Sequence, residues 1–223
     1  MKLVIFDCDG TLVDSQHMIV AAMNGAFSAL GRPAPAREAT LSIVGLSLVE
    51  ALSTLTAPDD PDVPALIEGY KNAFHALRAD PNHTEPLYEG AREAVEWLAA
   101  RDVALGIATG KSQRGVRIVL GHHGLYDRFA TIQTADDAPS KPHPAMIEQA
   151  MAAVGARAGD TVMIGDTTYD IDMAHAAGVA AIGVSWGYHP ADALARLKPH
   201  AMLTRYAELP AALEDLWRAG AAV

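Results

Sequence analysis

The chain has 223 residues, half of them hydrophobic, and a formal net charge of −10 from 27 acidic side chains against 17 lysines and arginines. That length and apolar content supply a substantial core and exclude a disordered chain, and the acidic balance argues against a nucleic-acid footprint, which needs clustered Lys and Arg. The single cysteine, Cys8, permits no intrachain disulfide and suggests a reducing compartment. With no signal-peptide pattern and no apolar run of the roughly 20 residues that a membrane span requires, the expectation is a cytoplasmic protein that leaves the membrane alone.

The first element is the apolar run Leu3-Val4-Ile5-Phe6, which reads as a buried strand and delivers Asp7 and Asp9 before Gly10 lets the backbone turn. Strand residues two apart face the same way, so the two carboxylates are brought together. Such a pair repels unless a cation, a shared proton or chemistry offsets the repulsion. A calcium loop of the EF-hand type does not fit, because its fifth and sixth positions would be Thr11 and Leu12 rather than an acid and a glycine. Cys8, between two acids, is read as packing.

A helix is predicted over residues 16–30, with Ile19, Met23, Ala26, Phe27 and Leu30 at helical spacing and Gly31 and Pro33 ending it. From there to Pro86 only helices and turns are legible, over 36–44, 48–55 and 63–77, with Pro58-Asp59-Asp60-Pro61 as a loop. From Leu87 the texture changes. Strands over 103–108, 130–133, 161–164, 180–184 and 201–203 alternate with helices over 112–120, 144–154, 169–177 and 207–217. This alternation predicts an α/β fold, a doubly wound parallel sheet with helices on both faces. The N-terminal strand must join that sheet, so residues 1–14 and 88–223 form a Rossmann-like core and 15–87 a helical insertion. The insertion carries four basic against eight acidic residues and is no clamp for a polyanion.

Ligands of open α/β sheets bind beyond the carboxyl ends of the strands. Four such ends carry polar residues here: Asp7 and Asp9; Thr109-Gly110-Lys111; Lys141-Pro142, just before the helix at Pro144; and Gly165-Asp166-Thr167-Thr168-Tyr169-Asp170. They supply a hydroxyl beside a flexible glycine, a lysine, and a second pair of acids. The set suits a phosphoryl group next to magnesium, with Asp7, Asp9 and Asp166 as hard oxygen ligands. Lys141, the Thr109 hydroxyl and backbone N–H groups would meet the charge on the equatorial oxygens, and an aspartate can serve as nucleophile through an aspartyl phosphate.

Asp-x-Asp-Gly-Thr-Leu-x-Asp-Ser, Thr109, Lys141-Pro142 and Gly165-Asp166-Thr167-x-x-Asp170 together resemble the four motifs of the haloacid dehalogenase superfamily, across the whole chain. The insertion after the first motif resembles the helical cap of the phosphoglycolate phosphatase-like group. The resemblance implies Asp7 as nucleophile, and Asp9 as general acid for the leaving group and then base for water. It gives the phosphoryl group to Thr109, Gly110 and Lys141. Mg2+ would go to Asp7, the backbone carbonyl of Asp9 and Asp166, with Asp170 helping directly or through water. The substrate implied is a small-molecule phosphate ester.

Dehalogenase members lack the second aspartate of the first motif, so Asp9 favours phosphoryl transfer. Phosphonoacetaldehyde hydrolases use a cap lysine, and the only lysine of the insertion is Lys71, late in it. Sugar-phosphate mutases grip a second phosphate with a basic cap residue, whereas the corresponding turn here, Val44-Gly45-Leu46-Ser47-Leu48, has none. That turn, with Gly45, Leu46 and Ser47 at its centre, is expected to select a monophosphate substrate.

Two readings from other classes compete. Gly106 to Ser112 resembles a nucleotide-binding P-loop but has three residues between its glycines instead of four. A phosphate-accepting receiver module gathers similar residues, but its acidic pair and its acceptor lie on different strands and it lacks the insertion. Of the histidines, His122 and His123 are expected to meet helix-end carbonyls, and His143 lies beside Lys141-Pro142. Trp186, Tyr188 and His189 follow a core strand, either at the pocket rim or packed under the final helix.

Overall fold

The first strand, β1 (Lys2–Phe6), has Leu3, Val4, Ile5 and Phe6 without exposed surface, as a strand covered on both faces requires. The computed structural model describes residues 1–80 and 82–220. In it β1 lies at the centre of a six-stranded sheet with β2 (Val103–Thr109), β3 (Thr131–Thr134), β4 (Thr161–Gly165), β5 (Ala180–Val184) and β6 (Ala201–Leu203). The order is β3-β2-β1-β4-β5-β6 and every pairing is parallel. The chain winds outward from β1 through β2 to β3, then crosses back to β4 on the other side of β1. The strand order therefore reverses between β1 and β4, which opens a crevice at their carboxyl ends.

Alternation along β1 divides the core. Val4 and Phe6 join Val95 and Leu98 of α5 (Ala91–Ala99), Val116 and Leu120 of α6 (Gln113–His122) and Leu213 of α10 (Leu209–Gly220). Leu3 and Ile5 face the opposite layer, with Met146, Ile147 and Ala150 of α7 (Ala145–Val154) and Ile171 and Ala174 of α8 (Thr168–Ala176). The sheet is thus sandwiched between helical layers, as the alternating pattern predicts.

Between β1 and β2, ahead of α5, stand α1 (Gln16–Ala29), α2 (Arg37–Ser42), α3 (Leu48–Leu55) and α4 (Val63–Ala79). They bury apolar clusters of their own. Met23, Phe27, Leu52 and Leu66 form one, and Met18, Ile19, Ala22 and Phe74 another. The segments leading into and out of these helices pair with each other: the Asp14 N–H donates to the Pro86 carbonyl (2.8 Å), the Tyr88 N–H to the Leu12 carbonyl (3.0 Å), and Val13 bridges antiparallel to Leu87.

The predicted elements all form, with ends shifted by a few residues, and two helices were not foreseen. In α5 the apolar spacing Ala91, Ala94, Val95, Leu98 is regular, but two of its four members are alanines and the signal is weak. The other, α9 (Ala191–Arg196), is a six-residue helix with only Leu194 buried, too short to show a period. The helix expected over 36–44 stops at Ser42 because Gly45 turns the chain at φ 101°. The helix expected from 207 begins at Leu209, after a 3-10 turn over Tyr206–Glu208.

Candidate active site

Asp7 is the first residue past β1, and its N–H donates to the Ile164 carbonyl of β4 (2.9 Å), which fixes it at the crevice mouth. Across the crevice Asp166 follows β4, and Asp170 follows one turn into α8. One carboxylate oxygen from each of Asp7, Asp166 and Asp170 lies within 4.8 Å of the others, and all three residues are buried. Three buried carboxylates this close demand compensation. Part of it is Lys141, itself buried, whose Nζ stands 2.9 Å from Asp7 Oδ1 and donates to Asp170 Oδ1 at 2.6 Å. Burial works against the Lys141 ammonium, but Asp170 and Asp7 outweigh it and hold its pKa above the ordinary lysine range.

The three acids are not equally engaged. Asp166 accepts from the Thr11 hydroxyl and from the Tyr188 N–H, each at 2.8 Å. Asp170 serves as the N3 acid of α8: its second oxygen accepts from the Thr167 N–H (3.0 Å) and the Thr167 hydroxyl (2.7 Å), closing a capping box. Asp7 has only the ion contact with Lys141, and neither of its oxygens has a well-aligned hydrogen bond despite being buried. Burial pushes the Asp7 carboxyl up to about 6 against the pull of Lys141. Burial likewise raises Asp166 well above the usual carboxylate range, with Asp170 and Asp7 adding to it. Unsatisfied oxygens next to two more buried carboxylates fit a hard divalent cation, for which carboxylate oxygen is the preferred donor.

Gly10 is required here for two reasons. Its φ is +88°, and a Cβ at that position would fall 2.2 Å from Asp166 Oδ2. The loop after β1 is braced from below by hydrogen bonds to the Thr11 carbonyl from Trp186 Nε1 (3.1 Å) and the Tyr206 hydroxyl (2.8 Å), while the Tyr188 hydroxyl accepts from the Ser15 N–H (2.8 Å). Trp186 and Tyr188 therefore support this loop.

Asp9 sits beside the Ser15 hydroxyl, which donates to it, and beside Lys111, whose Nζ lies 2.7 and 3.0 Å from its two oxygens. The same ammonium contacts Glu85 Oε1 at 3.1 Å, and Glu85 is clasped by Arg78 of α4 through bonds of 2.7 and 3.2 Å. An alternating chain of charges, Asp9–Lys111–Glu85–Arg78, thus runs from the end of β1 to the insertion. Burial opposes the Lys111 charge, but Asp9 and Glu85 override it and raise its pKa. Glu85 is shifted down, since Lys111 and Arg78 outweigh its own burial. Neither Lys111 nor Glu85 was picked out as a site residue from the sequence. The available signal was a lysine two residues after Thr109 at the end of a core strand, where a buried ammonium requires a carboxylate.

Thr109 is buried at the end of β2, and its hydroxyl accepts from the Lys111 N–H at 3.3 Å. Gly110 lies directly beneath the turn of the insertion: an added Cβ would stand 2.3 Å from the Leu46 carbonyl oxygen and 2.6 Å from that of Gly45. The Ser47 N–H donates to Ser140 Oγ at 2.8 Å, and the Tyr169 hydroxyl donates to the Ser42 carbonyl at 3.1 Å. His189 Nε2 lies 3.0 Å from that same carbonyl while its Nδ1 accepts from the Thr168 N–H. Burial depresses the His189 pKa, which suits the neutral ring this pattern needs. The insertion is therefore seated on the core, with Gly45, Leu46 and Ser47 over the crevice. Replacing Gly110 with Ala should push that turn away, since the clash is with backbone that no rotamer change relieves. The expected result is a fall in kcat/KM of about 10- to 100-fold together with a lower melting temperature, read from steady-state kinetics and thermal melts.

Of the remaining expectations, His143 is exposed and its Nδ1 accepts from the Ala145 N–H, an end-of-helix role. His123 meets the Glu85 carbonyl (2.8 Å) in place of a helix end. Cys8 packs in the core, its thiol pushed up by burial first and by Asp9 second. No helix among the described residues is long and apolar enough to cross a membrane.

The fold is shared with known proteins. The family model of haloacid dehalogenase-like hydrolases matches residues 4–184. "Probable phosphatase IndB" of Dickeya dadantii is 36% identical over 96% of this chain and 94% of its own length. A phosphoglycolate phosphatase of Pseudomonas syringae pv. syringae is 32% identical over 89% of this chain and 74% of its own. The crystal structure of a hydrolase from Pseudomonas syringae superposes with a TM-score of 0.83 at 25% identity, covering 96% of this chain and 99% of that one. The chain belongs to the haloacid dehalogenase-like hydrolase family, and it is an enzyme of the family's phosphatase type.

Proposed function

We propose that the protein is a magnesium-dependent phosphomonoesterase that works through an aspartyl phosphate on Asp7. The observation that carries this reading is the buried Asp7 carboxylate, its oxygens free of aligned hydrogen bonds, next to Lys141, Asp166 and Asp170 at the one place where the strand order reverses. A carboxylate without hydrogen bonds keeps its lone pairs available for attack.

Asp7 Oδ attacks phosphorus and the bond to the ester oxygen breaks, while a proton passed through Asp9 to that oxygen releases the alcohol. The Asp9 carboxylate left behind then takes a proton from water, which attacks phosphorus and breaks the bond to Asp7. Inorganic phosphate leaves, and both aspartates return to their starting states. Lys141 and the Thr109 hydroxyl meet the charge on the non-bridging oxygens, and Gly110 lets the cap turn approach them. Asp7, Asp166 and the backbone carbonyl of Asp9 would hold magnesium, with Asp170 in support. When bound, the ion supplies charge neutralisation that lets a dianionic ester approach a carboxylate. Residues 15–87 act as a cap that closes over the ester and excludes bulk water.

A screen of small phosphate esters for released inorganic phosphate tests the reading. Turnover should need a divalent cation, be lost on treatment with EDTA, and return on adding excess Mg2+. A rate unchanged by EDTA would remove the metal from this account, and failure to release phosphate from any ester would remove the activity.

A further inference from the structure

The crevice widens into a cavity of about 750 Å³ between the cap and the core. Its floor holds Asp7, Asp9 and Thr109, and its walls are mostly apolar. The cap contributes Ile43, Leu46, Ile67 and the tilted aromatic pair Tyr70 and Phe74, whose ring centroids are 5.7 Å apart. This volume lies in the range of roughly 300–1,000 Å³ typical of sites for drug-sized ligands. A phosphoryl group with a two-carbon acid attached would fill only a minor part of it and would leave apolar walls facing water.

The mouth gives an independent observation. Four large hydrophobic side chains stand exposed among the described residues, Met1, Leu30, Val49 and Ile118. Two of the four line this one cavity, Val49 from α3 of the cap and Ile118 from α6 of the core. Both add apolar surface to the part of the cavity that is open to solvent. Lys71 and Arg114 lie along the same lining, with Glu68, which pairs with Lys71 at 2.8 Å, and Asp136 beside them, so the polar part of the lining carries charges of both signs.

We infer that the physiological substrate is a phosphomonoester of a bulky, largely apolar alcohol, its hydrocarbon or aromatic body held between Tyr70 and Phe74 of the cap and Ile118 of the core. This rests on the phosphatase reading above and sets the substrate apart from phosphoglycolate.

The test compares 2-phenylethyl phosphate with ethyl phosphate and phosphoglycolate under excess Mg2+. The first two are primary alkyl esters with leaving alcohols of similar basicity, so they differ in apolar bulk and not in intrinsic reactivity. Burial of the ring should raise kcat/KM for 2-phenylethyl phosphate at least about 100-fold over ethyl phosphate, mostly through KM. Val49→Asp and Ile118→Asp, both at exposed positions that tolerate a charge, should each shrink that ratio about tenfold, with thermal melts confirming the fold. Equal kcat/KM for the two alkyl esters, a preference for phosphoglycolate, or a ratio untouched by both substitutions would overturn the apolar-substrate inference while leaving the phosphatase standing. Absence of phosphate release from all three, and from acetyl phosphate, would take down the phosphatase reading and this inference with it.

Discussion

Asp7→Asn should lower turnover by at least roughly a thousandfold and, in metal-free buffer at neutral pH, leave a more stable protein than wild type. The loss follows from chemistry, because an amide is a poor nucleophile and cannot carry the phosphoryl group. The gain follows from electrostatics. Burial raises the folded-state pKa of Asp7 from 3.8 to about 6, so folding favours the protonated acid and penalises the carboxylate. The penalty is absent below the unfolded pKa, grows as pH rises from about 4 to 6, and is complete above that. For a shift from 3.8 to about 6 it comes to about 3 kcal/mol, which Asn does not carry. Thermal melts of both proteins across this range should therefore coincide near pH 4 and diverge toward pH 7, with the variant higher. Saturating Mg2+ should narrow the gap, since the ion stabilises wild type more. A catalytic carboxylate held at the expense of stability is what a functional site of this kind leads one to expect.

Lys141→Ala should be the most damaging single change to stability. Its ammonium has no exposed surface and stands between Asp7 and Asp170, at 2.9 and 2.6 Å. Removing it leaves two buried carboxylates facing each other with Asp166 nearby, and breaking a buried pair in this way costs about 3–5 kcal/mol. Urea titration should show that loss, and turnover should fall as well, since no other cation among the described residues touches Asp7. Asp7→Asn should stabilise the Lys141→Ala protein by more than it stabilises wild type, because the carboxylate it removes has by then lost its partner ammonium. Strict additivity of the two substitutions would contradict the pairing.

The parts of this molecule that could be read from sequence are those written in local pattern. β1 announces itself as four apolar residues and β5 falls where predicted, because strands buried on both faces leave continuous apolar runs; the edge strand β6 also falls where predicted, though only its Leu203 is buried. Asp7, Asp9, Thr109 and Asp166 were legible because they stand at or just past the ends of such runs, and Lys141 because Lys-Pro precedes the start of a helix; the crossover from β3 to β4 gathers them at one crevice. Lys111 was harder. Its partner Asp9 is 102 residues away, and their meeting depends on β2 lying next to β1, which no local pattern states. The sequence Gly-x-x-x-Gly-Lys-Ser drew attention to phosphate-binding loops, whereas the Lys111 ammonium is committed to two carboxylates. Glu85 and Arg78 were hidden for the same reason, as they reach the site only when the chain returns from the cap beside Val13. The seating of the Gly45–Leu46 turn on Gly110 was half visible: the turn was singled out, but its contact joins segments more than sixty residues apart.

The covalent role of Asp7 is the central claim, and trapping the intermediate tests it most directly. On the proposed mechanism Asp9→Asn removes the base that activates water, while an aryl phosphate, whose leaving group needs no protonation, should still phosphorylate the enzyme. Mixing the two and quenching in acid should give a burst of about one phenolate per enzyme and a single added phosphoryl group. Mass spectrometry of the peptides should place that group on Asp7. A burst with the phosphoryl group on any other residue, or steady turnover with no burst and no adduct, would contradict it.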